Sequence, residues 1–359
     1  MAEHSKIEWC DSTFNPWIGC TKVSPACDHC YAERLDSRGI FGGAHWGPGV
    51  PRKRTSPGNW RKPLAWNAQE FVECPACGWR GEWREADLRN GCCPRCNHLP
   101  ERFKPARRRV FCASLGDWLD KVPVEWRRDL FNLIAATPNL DWLLLTKRIG
   151  NLSKMLHEIA DMPRPGSHAG DLMAHHWRNG TPPANVWIGA TICNQQEADR
   201  DIPKLLAVPA AVRFLSIEPM LGPVDLLNMT AADGRAYNAL SAWMTPGKDP
   251  LERRIDWIIA GGESGPQARP SHPEWFRSLR DQCKAAGVPF LFKQWGEWID
   301  YTVDDKPTIW VTEDGRTGAQ DDVVKDGKHW WLQMSRVGKS AAGRLLDGET
   351  HNGFPEGNR

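Results

Sequence analysis

The sequence has no run approaching the ~18 apolar residues that a membrane span needs. Its amino terminus, Met1-Ala2-Glu3-His4-Ser5-Lys6, lacks the apolar core of a signal peptide. A soluble, cytoplasmic protein with no membrane partner is therefore expected. No period of 20–50 residues repeats, which argues against solenoids and propellers. Nor is the chain short of apolar residues. With 41% hydrophobic and 25% charged residues it falls outside the disordered class, and 359 residues suit one large α/β domain or a domain with an insertion.

Charge of one sign is also nearly absent overall, at net +2, but its distribution is uneven. Residues 39–109 hold 14 Lys+Arg against 6 Asp+Glu, leaving 32 against 38 for the remainder. A basic segment inside an acidic body suggests a polyanion partner; a solvated charged face is the plainer alternative. The chain is rich in tryptophan, with 20, and its 12 cysteines fall largely into two clusters. Without a secretion signal, clustered cysteines read as metal ligands rather than disulfides.

Short β-rich apolar runs alternate with amphipathic stretches. Strands are expected at 7–10, 110–114, 142–146, 186–191, 213–217, 257–260 and 289–293. Helices are expected at 30–38, 124–136, 149–159, 195–206 and 273–286. Such alternation implies a parallel sheet, and polar residues follow nearly every strand, where β/α barrels carry their chemistry. Seven strands rather than eight point to an open or partial (β/α) barrel. The expected division is a first βα unit at 1–38, an insertion at 39–109, the remaining barrel at 110–300 and an extension at 301–359.

The first cluster, Cys20, Cys27 and Cys30, is spaced Cys-x6-Cys-x2-Cys between the first strand and the first helix, with Tyr31 directly after it. Three thiolates are one short of a closed zinc site. They are the number for a 4Fe–4S cluster whose fourth iron stays open to an exogenous ligand. A zinc site completed by His29 or Cys10 is the alternative. The loop at 20–33 resembles a radical-SAM cluster loop, with a longer first gap than the common Cys-x3-Cys-x2-Cys. Segments 14–33, 110–117, 144–148, 186–189, 214–224, 256–269, 289–296 and 336–348 resemble the phage Gp37/Gp68, or three-Cys-motif, family. That resemblance implies a partial barrel of radical-SAM type, S-adenosyl-L-methionine as cofactor, a flavodoxin or ferredoxin as electron donor, and a host cytoplasm if a phage encodes the chain.

Cys74-Pro75-Ala76-Cys77 and Cys93-Pro94-Arg95-Cys96 are two Cys-Pro-x-Cys knuckles with fifteen residues between them. This is the pattern of a zinc ribbon holding one Zn2+, with Cys92 spare; an auxiliary iron–sulfur cluster is the competing reading. Metal binding is expected to fold this module, since no apolar run in it supports a core. Around it, Arg52-Lys53-Arg54, Arg61-Lys62, Arg102, Lys104 and Arg107-Arg108-Arg109 are interleaved with Trp46, Trp60, Trp66, Trp79 and Trp83. Cations for phosphates and flat rings for bases suit DNA or RNA; the alternative is that the tryptophans are core and the cations only solubilise.

At the expected barrel mouth, Tyr31, Ser114, Asp117, Arg148 and Glu218 are candidates for cofactor binding. Cys193, Lys147, Glu263 and Lys293 are candidates for catalysis, with Cys193 a hydrogen-atom donor or simply packing. Gly261-Gly262-Glu263 resembles the motif that binds the methionyl amine, but follows the sixth strand instead of the second. The resemblance suggests rearrangement of a modified base in duplex DNA with the base flipped out. Its phage setting narrows this to isomerising 5-N-glycinylthymidine to a carbon-linked glycinylthymidine in DNA hypermodification. Lesion repair of the spore-photoproduct-lyase type, or a non-enzymatic zinc-dependent nucleic-acid binder, are the alternatives.

Overall fold

Six largely apolar runs and the short segment Ser12–Thr13 pair as one parallel sheet. In the computed structural model, which describes residues 3–162, 169–231, 234, 236–241, 253–326 and 328–355, its strands are β1 (Ser12–Thr13), β2 (Arg108–Cys112), β3 (Leu140–Thr146), β4 (Val186–Thr191), β5 (Val212–Ile217), β6 (Trp257–Gly261) and β7 (Phe290–Gln294). They stand side by side in chain order. Every neighbouring pair is parallel. β4 and β5 are buried along their whole length, as sheets covered on both faces require.

Helices α1 (Tyr31–Ser37), α2 (Val124–Ala135), α3 (Leu152–Ala160), α4 (Ala169–Arg178), α5 (Gln195–Ala207) and α6 (Pro273–Ala286) follow or precede the strands. Asn194 caps α5 by accepting from Glu197 N–H, and Gly287 ends α6 in the left-handed region. Alternate strand residues such as Val110, Leu144, Ile188 and Leu215 face the helices in the main core. Their neighbours Phe111, Leu143, Trp187, Phe214, Ile259 and Leu291 face the concave side. The result is a curled, half-barrel sheet with an outer helical layer.

One expected strand is absent. Residues 7–10 form a turn, and the first strand begins at Ser12, paired with Val110. The apolar character of 7–10 has another cause: Trp9 packs against Phe111 and Phe214 and plugs the concave face. The other six strands lie where the sequence indicates, within two residues at each end.

Residues 39–109 divide in two. Lys53–Arg54 pairs with Trp17–Ile18, and the helix Pro57–Asn67 sets Trp66 into the main core. The ribbon proper is a three-stranded sheet of Phe71–Glu73, Arg80–Glu82 and Lys104–Pro105. After β7, strands Trp298–Ile299, Thr308–Thr312, Thr317–Gly318 and Trp331–Arg336 form an antiparallel sheet. The chain then returns along the outer edge of β7, where Phe292 N–H donates to His351 O and Gly353 N–H to Phe290 O, covering an edge that would otherwise be open to pairing. No helix among the described residues is long and apolar enough to cross a membrane.

If Trp9 plugs the half-barrel, Trp9→Ala should cost about 3–5 kcal/mol of unfolding free energy. Denaturant unfolding checks this; a loss below about 1 kcal/mol would show that the plug is dispensable.

Candidate functional site

Cys20, Cys27 and Cys30 sit on a loop with little regular structure, so other residues must shape it. Ser24 caps a single turn, Pro25–Cys27, by accepting from Ala26 N–H at 3.0 Å. Cys30 stands at the start of α1. All three cysteines line one cavity of about 580 Å³ at the carboxyl ends of the strands.

Two arginines hold the loop from opposite sides. Arg148, just past β3, reaches Cys20 Sγ at 3.4 Å and the Thr21 carbonyl, and pairs with Asp117 at 3.3 Å and Asp120 at 3.4 Å. Arg269, beyond β6, donates to Pro25 O at 2.9 Å, Asp28 Oδ2 at 3.0 Å and Glu263 Oε1 at 2.7 Å. Glu263 Oε2 in turn lies 3.2 Å from His29 Nδ1. Despite the cost of burial, the Arg269 guanidinium and backbone N–H hold the Glu263 carboxyl below its ordinary range. Its anchoring is therefore complete above the usual glutamate range and is lost as pH falls through the lowered value. Burial pushes the Cys20 thiol up to about 12, with Asp117 adding to the effect and Arg148 opposing it.

A zinc site at this loop is not assembled. Among the described residues, only Cys74, Cys77, Cys93 and Cys96 bring their ligand atoms within 4.8 Å of one another. His29 is engaged by Glu263, and Cys10 packs on Ser5 at 3.3 Å, outside this cavity.

The remaining candidates divide into supports and exposed groups. Asp117 accepts from Thr146 Oγ1 (2.7 Å), Leu119 N–H (2.9 Å) and Lys147 N–H (2.9 Å), so its carboxylate is committed to the strand end. Tyr31 donates to Ser114 O at 2.6 Å, and Ser114 Oγ accepts from Asn15 at 3.0 Å. Glu218 pairs with Lys293 at 2.9 Å and accepts from Ser216 at 3.2 Å. Burial works against the Lys293 charge, but Glu218 outweighs it and keeps the ammonium above its ordinary range. Lys147 lines the cavity without an ion pair among the described residues. Gly262 is glycine because a Cβ there would collide with the Trp295 carbonyl.

Cys193 is fully buried, its N–H donates to Glu197 at 3.1 Å, and burial pushes its thiol up to about 12. It does not line the mouth cavity, and its thiol lies against Ser24 and Ala26 of the cysteine loop. Arg269 and Thr191 escaped sequence reading, Arg269 because it lies eight residues past the end of β6, beyond any strand-end window. Arg52, expected among the cations for a nucleic acid, instead pairs with Asp120 at 2.7 Å.

In the ribbon, Cys74 and Cys96 sulfurs are 4.0 Å apart and Cys77 and Cys93 3.6 Å. Four thiolates at ~2.3 Å around one tetrahedral ion would stand ~3.8 Å apart. The group can hold a single metal ion and is too tight for a cubane. Although desolvation opposes it, backbone N–H groups of Cys96 and Arg95 hold the Cys93 thiol down to about 7. Cys92 lies outside the group.

The tryptophans read from the insertion are largely covered, whereas Lys53, Arg61, Arg102, Lys104 and Arg107 are exposed. Trp66 is in the main core, Trp60 packs edge-on against Phe14, and Trp79 and Trp83 pack on Phe103. Arg52, Arg54, Arg107 and Arg108 are paired with Asp120, Asp129, Asp141 and Glu82. Composition reports the guanidinium, not where it points. Of these five tryptophans, only Trp46 lines the mouth cavity.

Residues 4–355 match a family model described as a protein of unknown function (DUF5131). No curated protein matches, and no solved structure matches.

For the ribbon, Cys92→Ser should retain the bound ion and Cys93→Ser should lose it, with hydrogen-exchange protection of Phe71–Glu73 lost alongside. Metal analysis and exchange check this; equal metal retention in both variants would remove Cys93 from the ligand set.

Proposed function

The chain belongs to the DUF5131 family, and on that premise we propose that it is a radical-SAM enzyme acting on a modified base in DNA. One observation carries the reading: three thiols on an arginine-clamped loop share a cavity at the carboxyl end of a parallel half-barrel. The residues present fit the cofactor pair. Cys20, Cys27 and Cys30 would hold the 4Fe–4S cluster and leave one iron open. Buried Thr191 Oγ1, Gln294 Oε1 and Glu8 Oε2, all on lining residues, lack hydrogen-bond partners and offer acceptors to a polar ligand. When bound, the cluster and S-adenosylmethionine together supply a carbon radical that removes an unactivated hydrogen.

The chain's own groups do the rest. Arg148 and Arg269 fix the loop; Asp117 and Glu263 fix the arginines. Lys147, Arg34 and Lys339 line the cavity without carboxylate partners among the described residues and would meet the carboxylate or phosphates of bound ligands. Trp46 offers a ring face to a base. Lys293, held charged by Glu218, can donate a proton or a hydrogen bond to the substrate. The ribbon would hold zinc structurally. The phage-type resemblance of the sequence narrows the reaction to moving an amino-acid substituent from nitrogen to carbon on thymidine, as in converting 5-N-glycinylthymidine to its carbon-linked isomer, with electrons from a flavodoxin or ferredoxin.

Anaerobic reconstitution tests this. The reading predicts about four irons per chain, dithionite-dependent 5′-deoxyadenosine, and loss of both in Cys20→Ala, Cys27→Ala and Cys30→Ala while the far-ultraviolet circular dichroism is kept. Zinc alone and no cleavage would leave a nucleic-acid-binding protein with structural metal sites.

A further inference from the structure

A second cavity, of about 750 Å³, opens at the amino ends of the strands, between the ribbon and the returning carboxy-terminal segment. Barrel chemistry belongs to the carboxyl ends; this space lies at the other end, with residues 6–9 lining both it and the cysteine mouth, and the inference below does not rest on the proposed function.

Its wall holds guanidinium groups with unused donors. Arg108 is 1% exposed; one terminal nitrogen meets Glu82, but Nε and NH1 are buried with no hydrogen-bond partner. Arg109 forms no ion pair among the described residues, although the Asp11 and Asp141 carboxylates stand near enough to act on it, and its Nε is buried without a hydrogen-bond partner. Its guanidinium lies 4.0 Å from the Phe354 ring centroid. Burial and the neighbouring Arg80 charge push it down to about 10. Arg344 donates to Asn352 and to the Phe292 carbonyl, leaving Nε unsatisfied. By contrast Arg80 is spent on Asp11 and Glu73.

Counting the lining residues outside ion pairs, Lys6, Arg95, Arg109 and Arg344 stand against Glu3 and Glu8, an excess of two positive charges. A buried, unpaired cation is costly, and donors left without acceptors add to that cost. A dianion removes both penalties at once. The cavity is within the range of small-molecule sites, ~300–1,000 Å³, and far larger than a bare phosphate needs. Phe71, Trp79 and Phe354 line it and offer apolar surface to an organic body.

We propose that the cavity at the amino end of the half-barrel binds a small phosphate monoester, its phosphate on Arg109 and Arg344 and its organic body against Phe71, Trp79 and Phe354. Phosphate suits the site because a monoester carries about −1.5 to −2 charges at neutral pH and presents oxygens that accept from guanidinium groups in pairs.

Isothermal titration calorimetry on the full chain, with inorganic phosphate, thymidine monophosphate and a short single-stranded oligonucleotide as probes, tests it. The monophosphate should bind and outcompete inorganic phosphate. Arg109→Gln should weaken it by at least about tenfold, the loss of one charge-assisted hydrogen bond. If Arg109→Gln does not fold, Arg344→Gln should give the same loss. Lys154→Ala, at an exposed position that lines neither cavity, should bind the monophosphate as the wild type does. No binding of the monophosphate, binding of the oligonucleotide alone, affinity unchanged in both arginine variants, or loss in Lys154→Ala would each overturn the proposal.

Discussion

Two arginine side chains set the geometry on which the candidate site depends. The loop carrying Cys20, Cys27 and Cys30 has one short turn and no strand of its own after Ile18, so only scattered backbone hydrogen bonds, such as Gly47 N–H to Cys20 O and Cys27 N–H to Ser24 O, hold it. Ordering such a segment costs about 1–2 kcal/mol per residue in backbone entropy. Arg148 and Arg269 oppose that cost by bonding loop carbonyls directly, and each is itself oriented by carboxylates, Asp117 and Asp120 for one and Glu263 for the other. Both arginines come from segments that follow sheet strands. The half-barrel thus transmits its rigidity to a loop that lacks any.

The two metal-ligand sets differ in the same terms. The ribbon sulfurs already stand at the separation one tetrahedral ion needs, on knuckles whose backbone N–H groups favour the thiolate. Its small core of Val72, Cys74, Ala86, Cys93 and Phe103 includes two of the ligands themselves, so the ion and the fold are coupled. At the mouth, fold and ligands are separable: the sheet's core is large, and the cysteines lie outside it. Loss of a ribbon thiol should therefore damage structure locally, whereas loss of a mouth thiol removes chemistry from an intact scaffold.

Much of the sheet was legible because parallel strands buried on both faces leave continuous apolar runs, as at Val186–Thr191 and Val212–Ile217. The same signal misled at residues 7–10, since a plug in the concave face is as apolar as a strand. Cysteine spacing was legible because it is local. The partners of Glu263 and Cys20 were not: Arg269 looks like any surface arginine, and Arg148, placed at the mouth by its strand-end position, gave no sign of the loop it holds. In the insertion, five tryptophans and a run of arginines read as a nucleic-acid surface, yet Arg108 and Arg109 are inward-facing and Trp66 supports the barrel core. Charge counts carry sign and number, not direction.

The central claim is that the clamped thiols hold a cluster with one iron open to a ligand. Electron paramagnetic resonance of the reduced, reconstituted full-length chain, recorded with and without S-adenosylmethionine, addresses it most directly. The account predicts a cluster signal whose g-values shift when S-adenosylmethionine is added. A signal that S-adenosylmethionine leaves unchanged, or no cluster signal at all, would contradict it.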